Sequence, residues 1–363
     1  MNLHVPLALL AASLHTAISA VTDTCIEQNC SSADNGRDGQ VLLQHSRHNN
    51  PRRSKYAYTP SLPYNQSLPG SIPGSLLIGC EGSKFVDCWE FFTDSDPTYG
   101  YVDYVSQSEA ESLGIYNVTA SGSVYLGSIV GQGGPAKSIR LQAKLTFSAG
   151  VLFVIDIEHM PTGYGTWPAW WSTGPYWPNE GEIDTIEAVE VDSSIYSTLH
   201  TSSGCSEWMV PDISNGGWCN AGNGCDGCGV SGPANSAGAG FNALGGGVYV
   251  TSWTDDNISM WLFPRGSIPQ DIIDGDPQPS TWSNPYVTFP LGDSCSSNFF
   301  QNQQMVINLD FCGSWAGAVF PSLNGWPGGN DACEGYVRDA NNIENLEDAY
   351  WLIKYVKVFE AAS

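Results

Sequence analysis

The chain has 363 residues, including 40 Gly and 22 Pro; 12% of its residues are aromatic and only 14% are charged. This composition excludes coiled coils, collagen and bulk disorder, and it supplies enough apolar side chains to favour one large domain. The net charge of −24 disfavours nucleic acid and anionic membrane surfaces as partners, while a neutral ligand is not opposed.

The first twenty residues, MNLHVPLALLAASLHTAISA, contain a short apolar run and end in small residues. This pattern is typical of a secretory signal peptide, and the run is too short to span a bilayer. We therefore expect residues 1–20 to be a signal peptide. Residues 21–79, rich in Asn, Ser, Pro and Gly, are expected to be an extension or linker, and residues 80–363 the catalytic or binding domain. The mature protein is expected to be secreted, extracellular and monomeric.

Eleven cysteines in a secreted chain predict disulfides whose connectivity the sequence leaves open. They are Cys25, Cys30, Cys80, Cys88, Cys205, Cys219, Cys225, Cys228, Cys295, Cys312 and Cys333. Cys225 and Cys228 have zinc-knuckle or redox spacing but lack a second such pair, so a zinc site is not expected there. We expect no cofactor, and calcium is left unassigned because the chain has no Asp/Gly-rich loop of EF-hand type. The odd count leaves one free thiol or an intermolecular bridge. Sequons at Asn29, Asn65, Asn117 and Asn257 fit glycosylation.

Short strands account for most of the periodic pattern beyond residue 85. The predicted strands are an alternating one at 138–147, a buried one at 151–157, a hairpin formed by 248–253 and 258–263, and a last one at 350–359. Arg140 and Lys144 fall on the polar face of the first of these. No window longer than about ten residues has helical periodicity. The sequence therefore predicts an all-β sandwich or barrel.

Residues 180–190, EGEIDTIEAVE, place acidic side chains between isoleucines. On a strand Glu182 and Asp184 point to one face while the isoleucines enter the core, because side chains two apart share a face. Strict alternation would put Glu187 on the opposite face. A β-bulge at residues 185–186 adds one residue and returns Glu187 to the side of the other two carboxylates.

The bulged arrangement also predicts a distance. The backbones of Glu182 and Glu187 would lie about 13 Å apart, and each side chain reaches about 3–4 Å inward. The resulting carboxyl gap of ~5–6 Å is that of retaining rather than inverting glycosidases, with Asp184 beneath it. Three carboxyl groups so close cannot all be ionised at neutral pH, so at least one is expected to hold a proton.

Aromatic side chains come just before these carboxylates, in residues 166–171, TWPAWW, and at Trp177. Sugar rings stack their C–H faces on such planes. Taken without their neighbours, the acidic residues could equally form a solvated edge of the sheet. The aromatic residues that precede them favour a sugar-binding cleft instead. Trp170 and Trp171 alternate on a strand, so only one of them can face the sugar.

The segment GEIDTIE at 181–187 resembles the E-x-D-x-x-E motif of glycoside hydrolase family 16 in its bulged form, typical of laminarinases and fungal endo-1,3(4)-β-glucanases. The resemblance covers roughly residues 80–360. Its other segments, in the order of the family, are FVDCWEFF at 85–92, RL at 140–141, HMP at 159–161, GTWPA at 165–169, TLHTS at 198–202, FPR at 263–265, IP at 268–269 and NLDFCGSWAG at 308–317.

The resemblance implies a jelly-roll β-sandwich of two antiparallel sheets with an open concave cleft. It implies that Glu182 is the nucleophile, Glu187 the general acid/base and Asp184 the residue that orients and assists the nucleophile. The implied substrate-binding residues are Arg140, Trp171, Trp177, His200 and Trp315. For Arg140 a surface charge is the alternative, and for His200 a structural histidine. The other tryptophans assigned to core or loop packing are Trp89, Trp208, Trp218, Trp261, Trp282, Trp326 and Trp351.

Two positions depart from the family pattern. Cys88 stands where relatives often have Gly, which fits an additional disulfide partner. Ser314 stands where many fungal members have an acidic residue, which leaves the subsite preference open. The function implied is a retaining endo-β-glucanase acting on β-1,3 or mixed β-1,3/1,4-glucan. A glucan transglycosylase and a non-catalytic glucan-binding lectin are the alternatives; the lectin would not need both Glu182 and Glu187.

Overall fold

The computed structural model describes residues 62–63, 74–222, 225–323 and 325–361. The expected signal peptide, most of the expected extension, Cys25, Cys30 and the first two sequons lie outside the described residues. Among the described residues, no helix is both long enough and apolar enough to cross a membrane.

Twenty β-strands are the main secondary structure of the described chain. In order they are β1 (Leu62–Pro63), β2 (Leu76–Glu81), β3 (Trp89–Phe91), β4 (Val102–Tyr104), β5 (Tyr116–Val118), β6 (Val124–Leu126), β7 (Ala136–Ser138), β8 (Arg140–Phe147), β9 (Val151–His159), β10 (Thr166–Thr173), β11 (Glu182–Glu187), β12 (Tyr196–His200), β13 (Ala221–Gly222), β14 (Cys225–Asp226), β15 (Cys228–Ser231), β16 (Gly247–Trp253), β17 (Asn257–Pro264), β18 (Val287–Pro290), β19 (Gln303–Phe311) and β20 (Trp351–Glu360). The three strands and the hairpin predicted from the sequence are all present, so these predictions are confirmed.

The helices are short and connect the strands. They are α1 (Gln107–Leu113), α2 (Gly238–Ala243), α3 (Gln270–Asp274) and α4 (Asn330–Arg338). Short 3₁₀ segments lie at Gly82–Cys88, Ser214–Gly217, Arg265–Ser267, Pro279–Thr281, Ser297–Phe299 and Ala340–Leu346, and a π turn lies at Gly313–Gly317. Ser106 caps α1 through its hydroxyl, and Gly114 ends it in the left-handed conformation.

Two eight-stranded sheets form the sandwich. Sheet A has the order β1-β8-β19-β10-β11-β12-β15, with β3 also paired to β8. Sheet B has the order β18-β17-β16-β9-β20-β6-β5, with β2 also paired to β20. Pairing is antiparallel throughout both sheets except between β1 and β8. Because β2 starts at Leu76, sheet B includes residues that precede position 80.

The main core lies between the two sheets. Ile183 and Ile186 of β11 and Trp170 of β10 enter it from sheet A, and Phe153 and Ile155 of β9 enter it from sheet B. The residues that alternate with them on sheet A therefore point away from the core. This outward face of sheet A is the face on which the predicted cleft should lie.

Four disulfides join cysteines of the described chain. They are Cys80–Cys88, Cys205–Cys295, Cys219–Cys228 and Cys312–Cys333. Cys88 thus has the disulfide role that its departure from the family pattern suggested. Cys228 pairs with Cys219, so it is not half of a zinc knuckle with Cys225.

Candidate active site

A β-bulge at Thr185 shapes the middle of sheet A. On the β12 side Asp184 pairs with Thr198 and Glu187 with Tyr196, so one extra residue lies on β11. The bulge is held in place, because the Ser197 hydroxyl donates to the Thr185 carbonyl at 2.8 Å. The Thr185 hydroxyl lies 2.6 Å from that of Thr251 in sheet B. The predicted bulge is therefore present, and it returns Glu187 to the face of Glu182 and Asp184.

The three acidic side chains are almost fully buried, and their pKa values are raised. Burial and the neighbouring Asp184 raise the pKa of Glu182 to about 8, while His200 and the Trp177 indole oppose this rise. Burial raises the pKa of Glu187 to about 7, although His200 and Trp167 oppose it. Burial and the charge of Glu187 also raise the pKa of Asp184 well above its usual value. The three groups therefore hold protons well above the pH at which free carboxylic acids lose them.

Two partners orient the carboxyl groups. The Nε2 atom of His200 lies 3.1 Å from Oδ2 of Asp184, and His200 is opposite Glu182 in the register of β11 and β12. At the other end, the indole N–H of Trp167 donates to Oε1 of Glu187 at 3.1 Å. The middle and the Glu187 end of the carboxyl row are thus each contacted by a side chain from a neighbouring strand.

One cleft contains the three carboxyl groups. It is lined by Asp96, Thr98, Arg140, Trp167, Ala169, Trp171, Glu182, Asp184, Glu187, Asn308 and Asp310. Four adjacent strands of sheet A, β8, β19, β10 and β11, supply most of these residues. The cleft therefore runs across the strands, as a binding site for an extended ligand would.

Arg140 and Trp171 form one wall of the cleft. Arg140 is buried, and its guanidinium lies 4.6 Å from the centre of the Phe92 ring and 5.2 Å from that of Trp171. The Trp171 indole N–H donates to Asn308 at 2.7 Å. Trp170 faces the core, so Trp171 is the one of the two that faces outward, as the alternation predicted. Lys144, on the same polar face as Arg140, is exposed.

An acidic cluster at the Arg140 end of the cleft was missed by the sequence analysis. The Thr98 hydroxyl contacts Asp96 at 2.5 Å and Asp310 at 2.9 Å, and an Arg140 nitrogen lies 3.7 Å from Asp96. Burial and the charge of Asp96 raise the pKa of Asp310 well above its usual value. The cluster contains residues more than 200 positions apart in the sequence, so no local sequence motif predicts it.

The other predicted binding residues lie around the cleft. The Trp177 side chain lowers the pKa of Glu182, although its buried indole N–H has no hydrogen-bond partner among the described residues. Trp315 packs edge-to-face on Trp167 and on Tyr196, at the Glu187 end of the row. Trp208, which was assigned to packing, is 64% exposed; that assignment was wrong, because its loop turns the ring out of the fold.

Two groups of the described residues have the ligand types of a metal site. Ligand atoms of Glu182, Asp184 and His200 lie within 4.8 Å of one another, as do those of Cys205, Glu207 and Cys295. In the second group both sulfurs are already joined in a disulfide. The first group consists of two carboxyl groups of the row and the His200 ring that contacts Asp184.

A model of the XgeA-like GH16 catalytic domain matches residues 89–359. The chain belongs to glycoside hydrolase family 16. A probable endo-1,3(4)-β-glucanase of Neosartorya fischeri is 41% identical over 295 residues, which cover 77% of this chain and 44% of that protein. A probable glycosidase of Schizosaccharomyces pombe is 38% identical over 297 residues, 79% of this chain and 69% of that protein. The chain spans less than half the length of the first curated relatives that it matches.

Solved structures of the family share the sandwich. An elongating GH family 16 β-1,3-glucosyltransferase superposes with a TM-score of 0.70 at 36% identity, covering 78% of this chain and 99% of that one. Laminarinase 16A from Phanerochaete chrysosporium, solved with β-glucans in its donor and acceptor sites, superposes with a TM-score of 0.67 at 33% identity, covering 78% and 98%. The described chain is therefore a GH16 jelly-roll sandwich, and the predicted fold class is confirmed.

Proposed function

We propose that the chain is a secreted, retaining endo-β-glucanase that hydrolyses β-1,3 or mixed β-1,3/1,4-glucans through a glycosyl-enzyme intermediate. One observation carries the proposal. The bulge at Thr185 brings Glu182, Asp184 and Glu187 to one face of a buried strand, inside a cleft that crosses sheet A. Membership of family 16 and the names of the fungal relatives support the substrate class.

The roles follow from the two chemical needs of the reaction. Glu182 attacks the anomeric carbon, and Glu187 gives a proton to the departing oxygen and then removes one from water. Asp184 lies between them in sequence and holds Glu182 in place, and the Nε2 atom of His200 contacts Asp184 at 3.1 Å. Trp167 donates to Glu187 and so fixes the acid at the cleft surface.

The pKa values do not separate the two roles. Burial raises the pKa of both Glu182 and Glu187. Because the two groups and Asp184 interact, the protons belong to the set as a whole. The division of roles therefore rests on the positions in the family motif.

The glucan chain would cross the strands of sheet A. Trp171 and Arg140 provide a ring face and a cation on one side of the carboxyl row, and Trp315 and Tyr196 provide rings beyond Glu187. Trp177 would contact the sugar near Glu182. Four disulfides in the described chain support an extracellular location, which fits the proposed signal peptide at residues 1–20, the linker at 21–79 and the catalytic domain at 80–363.

A glucan transglycosylase is the second candidate, because one of the structural neighbours is described as an elongating β-1,3-glucosyltransferase. Both reactions share the first step and differ in whether water or a glucan hydroxyl accepts the sugar. Mass spectrometry of products from laminarin, lichenan and xyloglucan separates them. Shorter oligosaccharides alone indicate hydrolysis, products longer than the starting oligosaccharide indicate transfer, and unchanged substrates contradict both.

The stereochemistry is tested on the same reaction. A retaining mechanism releases the β-anomer first, so NMR spectra recorded during the first turnovers should show that anomer before mutarotation. Initial release of the α-anomer would contradict the covalent intermediate.

A further inference from the structure

The loop between β3 and β4 brings Asp96 to the Arg140 end of the cleft, and the two oxygens of this side chain have different partners. Oδ2 accepts hydrogen bonds from the backbone N–H groups of Thr98 at 2.8 Å and Gly100 at 3.0 Å. Oδ1 faces the Arg140 guanidinium at 3.7 Å. One oxygen of Asp96 therefore holds the loop in shape, and the other faces the cation of the cleft.

Asp310 of β19 meets the same loop. Its Oδ2 atom lies 2.9 Å from the Thr98 hydroxyl, and its Oδ1 atom accepts the N–H of Phe311 at 2.6 Å. Gly100 lies so close to the Asp310 carboxyl group that a side chain at position 100 would collide with it. Asp310 is therefore fixed against the loop by hydrogen bonds and by close packing.

The Thr98 hydroxyl lies between the two carboxyl groups and has a single proton. It can donate this proton to only one of Asp96 and Asp310, so the other carboxyl group must itself donate to the hydroxyl oxygen. Burial and the charge of Asp96 raise the pKa of Asp310 well above its usual value, so Asp310 is the group that holds the proton. Asp310 thus donates to Thr98, and Thr98 donates to Asp96. Asp96 remains the anion that faces Arg140.

Arg140 is enclosed but retains an unused donor. The side chains of Asp96 and Arg140 are only 3% and 7% exposed, and theirs is the one ion pair of Arg140 among the described residues. The rings of Phe92 and Trp171 flank the guanidinium. Its Nε atom has no hydrogen-bond partner in the described chain. A buried donor without a partner is costly, so a ligand oxygen that accepts from this N–H would be bound favourably.

We propose that Asp96 is a positioning residue that orients the Arg140 guanidinium toward a sugar hydroxyl of the glucan. The hydrogen-bond chain from Asp310 through Thr98 holds Asp96 in place for this role. The inference rests on the proposed function, because it takes a glucan as the ligand of the cleft. Asp96 therefore acts on substrate affinity through Arg140, and not on the carboxyl row at which the glycosidic bond is broken.

The test is a double-mutant cycle of Asp96→Asn and Arg140→Met. In Asp96→Asn the amide oxygen still accepts the backbone N–H groups of the loop, while the charge that faces Arg140 is lost. KM for laminari-oligosaccharides should rise about tenfold, the scale of one hydrogen bond to a charged group, with a smaller change in kcat. In the Arg140→Met background the same change should raise KM less than about twofold, because its effect requires the guanidinium. An equal rise of KM in both backgrounds overturns the proposal, and so does an unchanged KM in Asp96→Asn.

Thr98 allows a second test that leaves both carboxyl groups in the protein. Thr98→Val keeps the shape of the side chain and removes the hydroxyl, so KM should rise severalfold. Thr98→Ser retains the hydroxyl and should raise KM less. Asp255→Asn, in the exposed turn after β16, is the control and should match the wild type. Equal KM values in the two Thr98 variants overturn the hydrogen-bond chain, and this pair still decides the matter if Asp96→Asn does not fold.

A third measurement does not depend on activity. At one fixed pH, the ¹H–¹⁵N signal of the Arg140 Nε–H group, identified by its absence in Arg140→Met, reports the surroundings of the guanidinium. It should shift in Asp96→Asn but not in Asp255→Asn. An unchanged signal in Asp96→Asn overturns the inference. If the wild type cleaves no glucan, the proposed function fails, while this comparison still decides whether Asp96 orients Arg140.

Discussion

The buried carboxyl groups of the two sheets differ in whether they have a cationic partner. On sheet B, Asp156 is buried and lies 2.5 Å from the Arg265 guanidinium, which also donates to the carbonyl of Ile157. On sheet A, Glu182 and Glu187 are equally buried but have no arginine or lysine partner among the described residues. The same architecture can therefore neutralise a carboxylate with a cation or leave it to hold a proton, and only the second kind is ready for acid–base chemistry.

The outer faces of the two sheets differ as well. Residues 264–286 cover part of sheet B, where Ile272 and Trp282 pack on Trp261 and Phe263. The corresponding face of sheet A has the cleft instead. The candidate site therefore lies on the sheet whose outer face has a cleft, and the packed segment 264–286 lies on the other sheet.

Replacing the proposed nucleophile should have the largest effect. Glu182→Gln keeps the shape but cannot form the glycosyl ester, so kcat on laminarin should fall by ~10⁴-fold or more, with glucan binding retained. Reducing-sugar assays and affinity electrophoresis measure the two properties. Glu90→Gln, exposed on β3, is the control; activity of Glu182→Gln within a few-fold of wild type would contradict the assignment.

Removing the proposed acid/base should reduce activity nearly as much, but only on substrates whose leaving group needs protonation. Glu187→Ala should lose ~10²–10⁴-fold on glucans, whereas an activated aryl glycoside, whose leaving group needs little protonation, still forms the intermediate. Azide should then restore turnover and give the β-glycosyl azide. In Glu182→Ala azide should give the inverted product. Azide products exchanged between the two variants would mean that the roles are reversed.

The ion pair of sheet B should matter for stability rather than for activity. In Asp156→Asn, Arg265 loses its charged partner but keeps its bonds to the carbonyls of Gly245 and Ile157. We expect urea denaturation to show a loss of about 2 kcal/mol in unfolding free energy with normal kcat. Asp255→Asn should change stability by less than about 0.5 kcal/mol. A large loss of kcat in Asp156→Asn would contradict the expectation that the ion pair of sheet B contributes to stability and not to catalysis.

The ring face of the cleft should govern substrate affinity. Trp171→Ala removes a stacking surface and the neighbour of Arg140, so KM for laminari-oligosaccharides should rise about tenfold, equivalent to ~1.4 kcal/mol, with a smaller change in kcat. Trp208→Ala, which removes an exposed ring outside the described cleft, is the control. An unchanged KM in Trp171→Ala would exclude Trp171 from sugar binding.

The smallest effect concerns a buried glutamate outside the cleft. Both carboxyl oxygens of Glu207 lack a hydrogen-bond partner among the described residues, and burial raises its pKa to about 8. The folded state therefore binds the proton more tightly than the unfolded state, and this group costs stability as pH rises from about 4.5 to about 8. Glu207→Gln should raise Tm relative to wild type at pH 8 but not at pH 4.5. Glu344→Gln, exposed, should show no such difference.

Local spacing was enough to predict the carboxyl row. The alternation of acids with Ile183 and Ile186 fixed which face is buried, and only a bulge could bring Glu187 to the side of Glu182. The same alternation separated Trp170 from Trp171. Strands and the hairpin followed from equally local patterns, because each depends on neighbours within a few residues.

The parts that escaped prediction depend on distant residues. Asp96 and Asp310 meet through Thr98 only because the chain returns to sheet A after more than 200 residues. Gly227 lies against the His200 ring in a loop that the Cys219–Cys228 disulfide closes, and the pairing of eleven cysteines is not encoded in their spacing. Trp167 was noted for its ring, whereas its contact with Glu187 is made by the indole N–H.

The position of β20 has a consequence for how the molecule is made. Residues 351–360 lie in the interior of sheet B, between β9 and β6, and also pair with β2. During synthesis the edges of β9 and β6 therefore stay unpaired until residue 360 has left the ribosome. Such late, long-range pairing slows folding and leaves open strand edges that can aggregate. Yield in a heterologous host should therefore depend on chaperone capacity more than on the stability of the finished sandwich.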